Sequence, residues 1–195
     1  IIHTPIVQSL AIVQKNSKIT LFLRNINLPN NIIEFLGDGV EIMDQLSFPK
    51  YVASLSYENI QLDPDSCPIA VFESLSLQGK NIIQSTDPCL LPKAIKNSTE
   101  IKGAKLAHTI DATAFIQFLH WLDSESDSGK LDEIVVTKKL EEFRNSSGQL
   151  EEIAFDTICG SGSNGAIVHY KVNEQTNKKL KKDNLLLIDS GGQYR

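Results

Sequence analysis

Two stretches near the C-terminal end of this 195-residue sequence carry residue types suited to chemistry. The first is Leu185-Leu186-Leu187-Ile188-Asp189-Ser190-Gly191, in which four aliphatic residues run into an acid. Such a run predicts a strand buried on both faces, where an ionised carboxylate is tolerated only if it meets a cation or hydrogen-bond donors. The alternative for Asp189 is a polar turn begun with Ser190 and Gly191. The second stretch is Gly160-Ser161-Gly162-Ser163-Asn164-Gly165-Ala166-Ile167-Val168-His169-Tyr170, which places His169 at the end of an apolar run.

The glycine loop satisfies G-x-G-x-x-G, and Asp189 lies about 20 residues further on, where a dinucleotide site has its ribose-binding acid. That chemistry requires the loop to open a helix whose amides hold the pyrophosphate. Residues 166–172 are β-branched and predict a strand, so the dinucleotide reading fails on context. No Gly-Lys-Ser/Thr follows, which removes the P-loop.

The elements that must position these residues alternate at first. Residues 6–13 and 19–23 predict a hairpin, and Pro29 a short helix closed by Gly37. Strands follow at 40–43, 59–62 and 81–83, with a helix over 64–77. Beyond Pro88 and Pro92 the pattern lengthens, which sets a domain boundary near residues 93–97. Asn97 with Glu100 opens a long helix as a capping box. Ile101, His108, Phe115 and Leu119 form one stripe on it, and Ile110, Ala114, Phe118 and Trp121 a second, so the helix is expected to be covered on two sides. His108 and Asp111 are i, i+3 neighbours on a packing face and are read as structure rather than a metal pair. Asp132 caps a further helix through Arg144, with Lys138 paired to Glu142. Strands at 155–159, 166–172 and 185–188 complete the order, and Lys178, Lys179, Lys181 and Lys182 lie in a solvated turn.

A net charge of −5 leaves no general basic surface for nucleic acid, and no apolar run reaches the ~20 residues of a membrane helix. Cys67, Cys89 and Cys159 are odd in number and widely spaced, which suits a reducing cytoplasm better than a disulfide framework or a zinc site. Ile1 is not an ordinary translation start, and Gly191-Gly192 should lead into a partner strand, so a fragment is expected.

Read together, several of these motifs resemble aminopeptidase P, the Xaa-Pro aminopeptidases of the pita-bread metallopeptidase superfamily. The resemblance rests on Ala107-His108 with Asp111, Lys139-Leu140-Glu141-Glu142-Phe143-Arg144, Gly160-Ser161-Gly162, Asn164 to Tyr170, Glu174 with Thr176-Asn177, and Leu187 to Gly191 with Gln193-Tyr194. Ser163 stands where a proline is common and Gly192 where an alanine is, departures that touch loop rigidity. The resemblance implies an α/β (α+β) fold, with residues 1–95 the end of a creatinase-like domain and 96–195 the first part of a pita-bread catalytic domain. It implies hydrolysis of peptides with proline in second position, two Mn2+ ions, a cytoplasmic location and a homodimer. Asp189 matches the first metal-binding aspartate, and His169 the histidine that contacts substrate and its tetrahedral intermediate. The other metal ligands would lie beyond Arg195, so the segment alone is expected to be inactive. Prolidase or creatinase chemistry on the same fold, and a non-catalytic dimerisation or peptide-binding module, are the competing readings.

Overall fold

A computed structural model describes residues 2–14 and 16–194. The chain divides into two compact units, one of Val7–Lys96 and the other of Asn97 onward together with the residues up to Ile6.

In the first unit, β1 (Ser9–Val13) and β2 (Ile19–Leu23) form the expected antiparallel hairpin. After Pro29, α1 (Asn30–Leu36) stops at Gly37, whose φ of 74° suits a residue without Cβ, and carries the chain to β3 (Val40–Asp44), parallel to β2. Phe22 on β2 is fully buried and meets Phe48 and Tyr51 of α2 (Phe48–Ala53) edge to face, at 5.1 and 5.3 Å between ring centroids. A second parallel pair, β4 (Asn59–Leu62) and β5 (Asn81–Gln84), is joined through α3 (Ile69–Leu77). That helix begins after Pro68 and not at Pro64, because Asp63 instead accepts backbone N–H groups from Asp65 and Asp87 and holds a turn. The short α4 (Leu90–Ala94) closes the unit.

The second unit opens on α5 (Ser98–Glu125), and its capping box forms as expected: Asn97 accepts the Thr99 and Glu100 N–H groups while Glu100 accepts that of Asn97. The second apolar stripe is covered, and the first only in part, where Phe115 packs against the core. Ala114 and Phe118 are buried against α6 (Glu133–Ser146), whereas Ile101, His108 and Leu119 are exposed. The core joins Phe118, Leu131, Val136, Leu140 and Cys159. Lys139, rather than Lys138, takes Glu142 at 2.9 Å, since Lys139 lies over the Trp121 and Phe143 rings.

Four short strands finish the unit. The antiparallel pair β6 (Leu150–Ile153) with β9 (Gly192–Tyr194) and the antiparallel pair β7 (Ile158–Ser161) with β8 (Leu186–Asp189) are separate. The strand after Gly191 therefore pairs with β6 and not with its predecessor. Residues 166–172 form no strand: a 3-10 turn, Gly162–Ala166, is followed by irregular chain. The dinucleotide reading still fails, because the glycine loop opens a single 3-10 turn and not a helix with an N-terminal row of free amides.

Candidate functional site

Asp189 ends β8, opposite Ile158 of β7. Alternation along this ladder puts Cys159, Ser161, Leu186 and Ile188 on the face packed against the core, and Ile158, Gly160, Leu187 and Asp189 on the other. The expectation of a strand buried on both faces is corrected here: Leu187 is 43% exposed, Leu185 is 88% exposed, and Asp189 is exposed. Its carboxylate takes no hydrogen bond or ion pair from the described residues. It is an unspent hard-oxygen donor at the end of a strand whose inner face is locked.

The glycine loop lies on that same outer face. Gly160 pairs with Leu187, and Gly165 folds back over it so closely that a Cβ on Gly160 would stand 2.7 Å from the Gly165 nitrogen. The atoms it would meet, in Gly165 and Asn164, are all backbone and cannot turn aside. Gly160→Ala is expected to lower stability by about 1–3 kcal/mol, read as an earlier midpoint in urea unfolding; a wild-type midpoint would show that the loop does not rest on the strand.

His169 follows in an exposed turn with φ 54°, a left-handed conformation that few non-glycine residues adopt. The turn is tight, with Ile167 N–H donating to Asn164 and Tyr170 N–H to Ile167. His169 is thus on a loop and not at a strand end, and no hydrogen bond or ion pair links it to Asp189.

What sequence reasoning missed is the group beneath this loop. Glu133, the first residue of α6, is fully buried. Its carboxylate accepts from Ser161 N–H at 2.7 Å, Lys178 N–H at 3.1 Å, the Asn164 amide at 2.9 Å and the Tyr170 hydroxyl at 2.9 Å. Thr176 Oγ1 lies 3.1 Å from the same hydroxyl. Burial pushes the Tyr170 phenol above its ordinary value, which keeps its proton available to Glu133. Beside them, burial and the Glu133 charge push the Cys159 thiol up to about 12, leaving it an inert core residue. The available signal was Glu133 itself, an acid at the start of an amphipathic helix next to the capping Asp132.

A second buried cluster braces α5 on α6. Arg144, 1% exposed, donates to both Asp111 carboxylate oxygens at 2.8 and 3.2 Å, and Tyr194 O–H donates to the same carboxylate at 2.6 Å. Asp111 therefore turns to Arg144 and not to His108. Burial, and then the hydrogen bond to Asp111, pushes the Tyr194 phenol up to about 12.

One exposed carboxylate can serve as one arm of a metal centre but cannot offset the charge of two cations. Among the described residues, no group of three or more His, Cys, Asp and Glu side chains is placed to hold a metal ion. The donors among the described residues do not by themselves fit a dinuclear centre.

Comparison with known proteins accounts for both halves. The Creatinase/Prolidase N-terminal domain matches residues 1–100 and Metallopeptidase family M24 matches residues 102–195. The chain belongs to the Creatinase/Prolidase N-terminal domain family, and its second half matches metallopeptidase family M24. It is 38% identical over 189 residues to Xaa-Pro aminopeptidase 1 of Dictyostelium discoideum, an alignment covering 94% of this chain and 30% of that protein. The crystal structure of X-prolyl aminopeptidase from Caenorhabditis elegans, described as a cytosolic enzyme with a di-nuclear active site, matches with a TM-score of 0.87 at 26% identity, over 100% of this chain and 33% of that one. Prolidase from Pyrococcus furiosus shares the fold, with a TM-score of 0.67 at 22% identity, over 97% of this chain and 56% of that one. The chain thus spans about a third of the length of the first two. The mixed α/β class expected from the sequence, creatinase-like and then pita-bread, is the one observed.

Proposed function

We propose that the complete protein is a metal-dependent aminopeptidase that releases the N-terminal residue from peptides with proline in second position. The observation that carries this reading is the unspent Asp189 carboxylate at the end of β8, on the sheet face that also holds the glycine loop leading to His169, in a chain of family M24. Asp189 is assigned as a metal ligand. His169 is assigned to hydrogen bonding with the oxygen of the scissile carbonyl as it gains charge. Bound at such a site, two divalent ions, assigned as manganese, supply Lewis acidity and a water of lowered pKa. A proline nitrogen within the chain has no N–H, so the pocket has to select ring shape rather than a donor. A cytoplasmic homodimer completes the proposal; the free cysteines Cys67, Cys89 and Cys159 are in keeping with that compartment. No helix among the described residues is long and apolar enough to cross a membrane.

The test uses the purified complete protein and two peptides that differ only in proline or alanine at the second position. Cleavage of the proline peptide, abolished by a chelator and restored by manganese, is expected. Equal cleavage of the alanine peptide, or a rate indifferent to chelation, contradicts the reading. The 195-residue segment alone should show no turnover and only weak manganese binding in calorimetry, since Asp189 is the one ligand assigned within it.

A further inference from the structure

We propose that Glu133 is the positioning residue for His169: its buried carboxylate gathers the segment of residues 161–178 onto the start of α6 and so sets where the imidazole stands. This inference rests on the proposed role of His169. Past Gly165, which rests on Gly160, the chain up to His169 has little packing of its own, because Ile167 is 53% exposed and Val168 is 82% exposed. Burial of apolar side chains therefore does not hold the turn. Besides two backbone hydrogen bonds within the turn, what holds it are its two ends, Asn164 and Tyr170, and both end on Glu133, at 2.9 Å each. Ser161 N–H and Lys178 N–H, which bracket the segment, converge on the same carboxylate. His169 is the residue next to Tyr170 and sits at a left-handed φ, so a shift of the Tyr170 anchor passes directly to its backbone.

A carboxylate buried without a cation is a costly way to pack the first turn of a helix, and an apolar residue of similar volume would do that more cheaply. Four donors on one group instead define a point in space. Each comes from a different part of the segment, and the group itself stands on a helix fixed by Val136 and Leu140, both fully buried. A catalytic hydrogen bond depends on such placement, and a displacement of about 1 Å can lower a rate by about 10²-fold.

The experiment is a double-mutant cycle in the metal-loaded complete protein, with kcat, KM, metal content and melting temperature measured for Glu133→Gln, His169→Ala and the pair. Gln keeps the shape but turns an N–H2 towards donors. The expected result is a fall in kcat of about 10- to 100-fold for Glu133→Gln with metal content unchanged, and no further fall when it is added to His169→Ala. Tyr170→Phe, which removes one anchor and keeps the ring, should reproduce the effect in smaller measure and serves in place of Glu133→Gln if that variant does not fold. If both anchor variants lower kcat as much on the His169→Ala background as on the wild type, Glu133 acts on the fold in general and the inference is overturned. It is also overturned if they leave kcat unchanged. A wild-type kcat for His169→Ala alone removes the role of His169 itself, a separate failure visible in the same data.

Discussion

His169→Ala in the complete protein is expected to lower kcat by about 10²–10³-fold while bound metal stays at the wild-type level. The size follows from loss of one preorganised donor to a developing oxyanion. Retention of metal follows from assigning His169 to the substrate and not to a cation. A packed histidine at a strand end would predict the opposite pattern, a lower melting temperature with normal turnover. The structure argues against that, because His169 is exposed and its ring makes no hydrogen bond with the described residues. Its backbone does matter: at φ 54° alanine is less well accommodated than histidine or asparagine, both enriched in the left-handed region. His169→Asn separates the two effects, since asparagine accepts the left-handed region but lacks the imidazole. Asn should restore the melting temperature and leave kcat low.

Asp111→Ala is expected to cost about 3 kcal/mol of stability, because it leaves the guanidinium of Arg144 buried with no anion. This is the low end for breaking a buried pair, as Asp111 keeps 28% exposure. One Arg144 nitrogen, Nη1, is already buried without a partner among the described residues. The pair also predicts a pH dependence. Burial pushes the Asp111 carboxyl up, but hydrogen bonds from Arg144 and Tyr194, with the Arg144 charge, outweigh it and hold the group below its ordinary value of 3.8. A pKa depressed by folding means that the contribution is complete above that ordinary value and is lost as pH falls through the folded one. Urea midpoints measured from pH 6 to pH 2 should therefore converge between wild type and Asp111→Ala at the acid end. A gap that stays constant to pH 2 would assign the cost to packing instead.

How much of this was legible in the sequence depended on whether a signal was local. The hairpin, the Gly37 stop and the Asn97 capping box each rest on residues a few positions apart, and all three form. Residues 166–172 misled, because β-branched composition predicts a strand while the loop is held by bonds to the Glu133 side chain, 28 to 45 positions away. The same distance hid Glu133, which reads as an ordinary helix-start acid. The double-sided burial expected for Leu185 to Ile188 was inferred from an aliphatic run, but a run shows which faces can be covered and not which are. His108 and Asp111 had the spacing of a pair, yet Arg144, 33 positions away, offered a planar fork and won the carboxylate. Asp189 and the glycine loop were visible as chemistry-bearing motifs, and the ladder then put Asp189 and Gly160 on one face.

Asp189 is assigned as a metal ligand, and elemental analysis of manganese-loaded complete protein checks this assignment when wild type and Asp189→Asn are prepared side by side. Asparagine keeps the shape of the exposed side chain and removes its charge. Asp189→Asn is expected to hold less metal per chain than wild type and to turn over more slowly, with an unchanged melting temperature for the metal-free protein. An Asp189→Asn protein that retains the wild-type metal content would contradict the assignment.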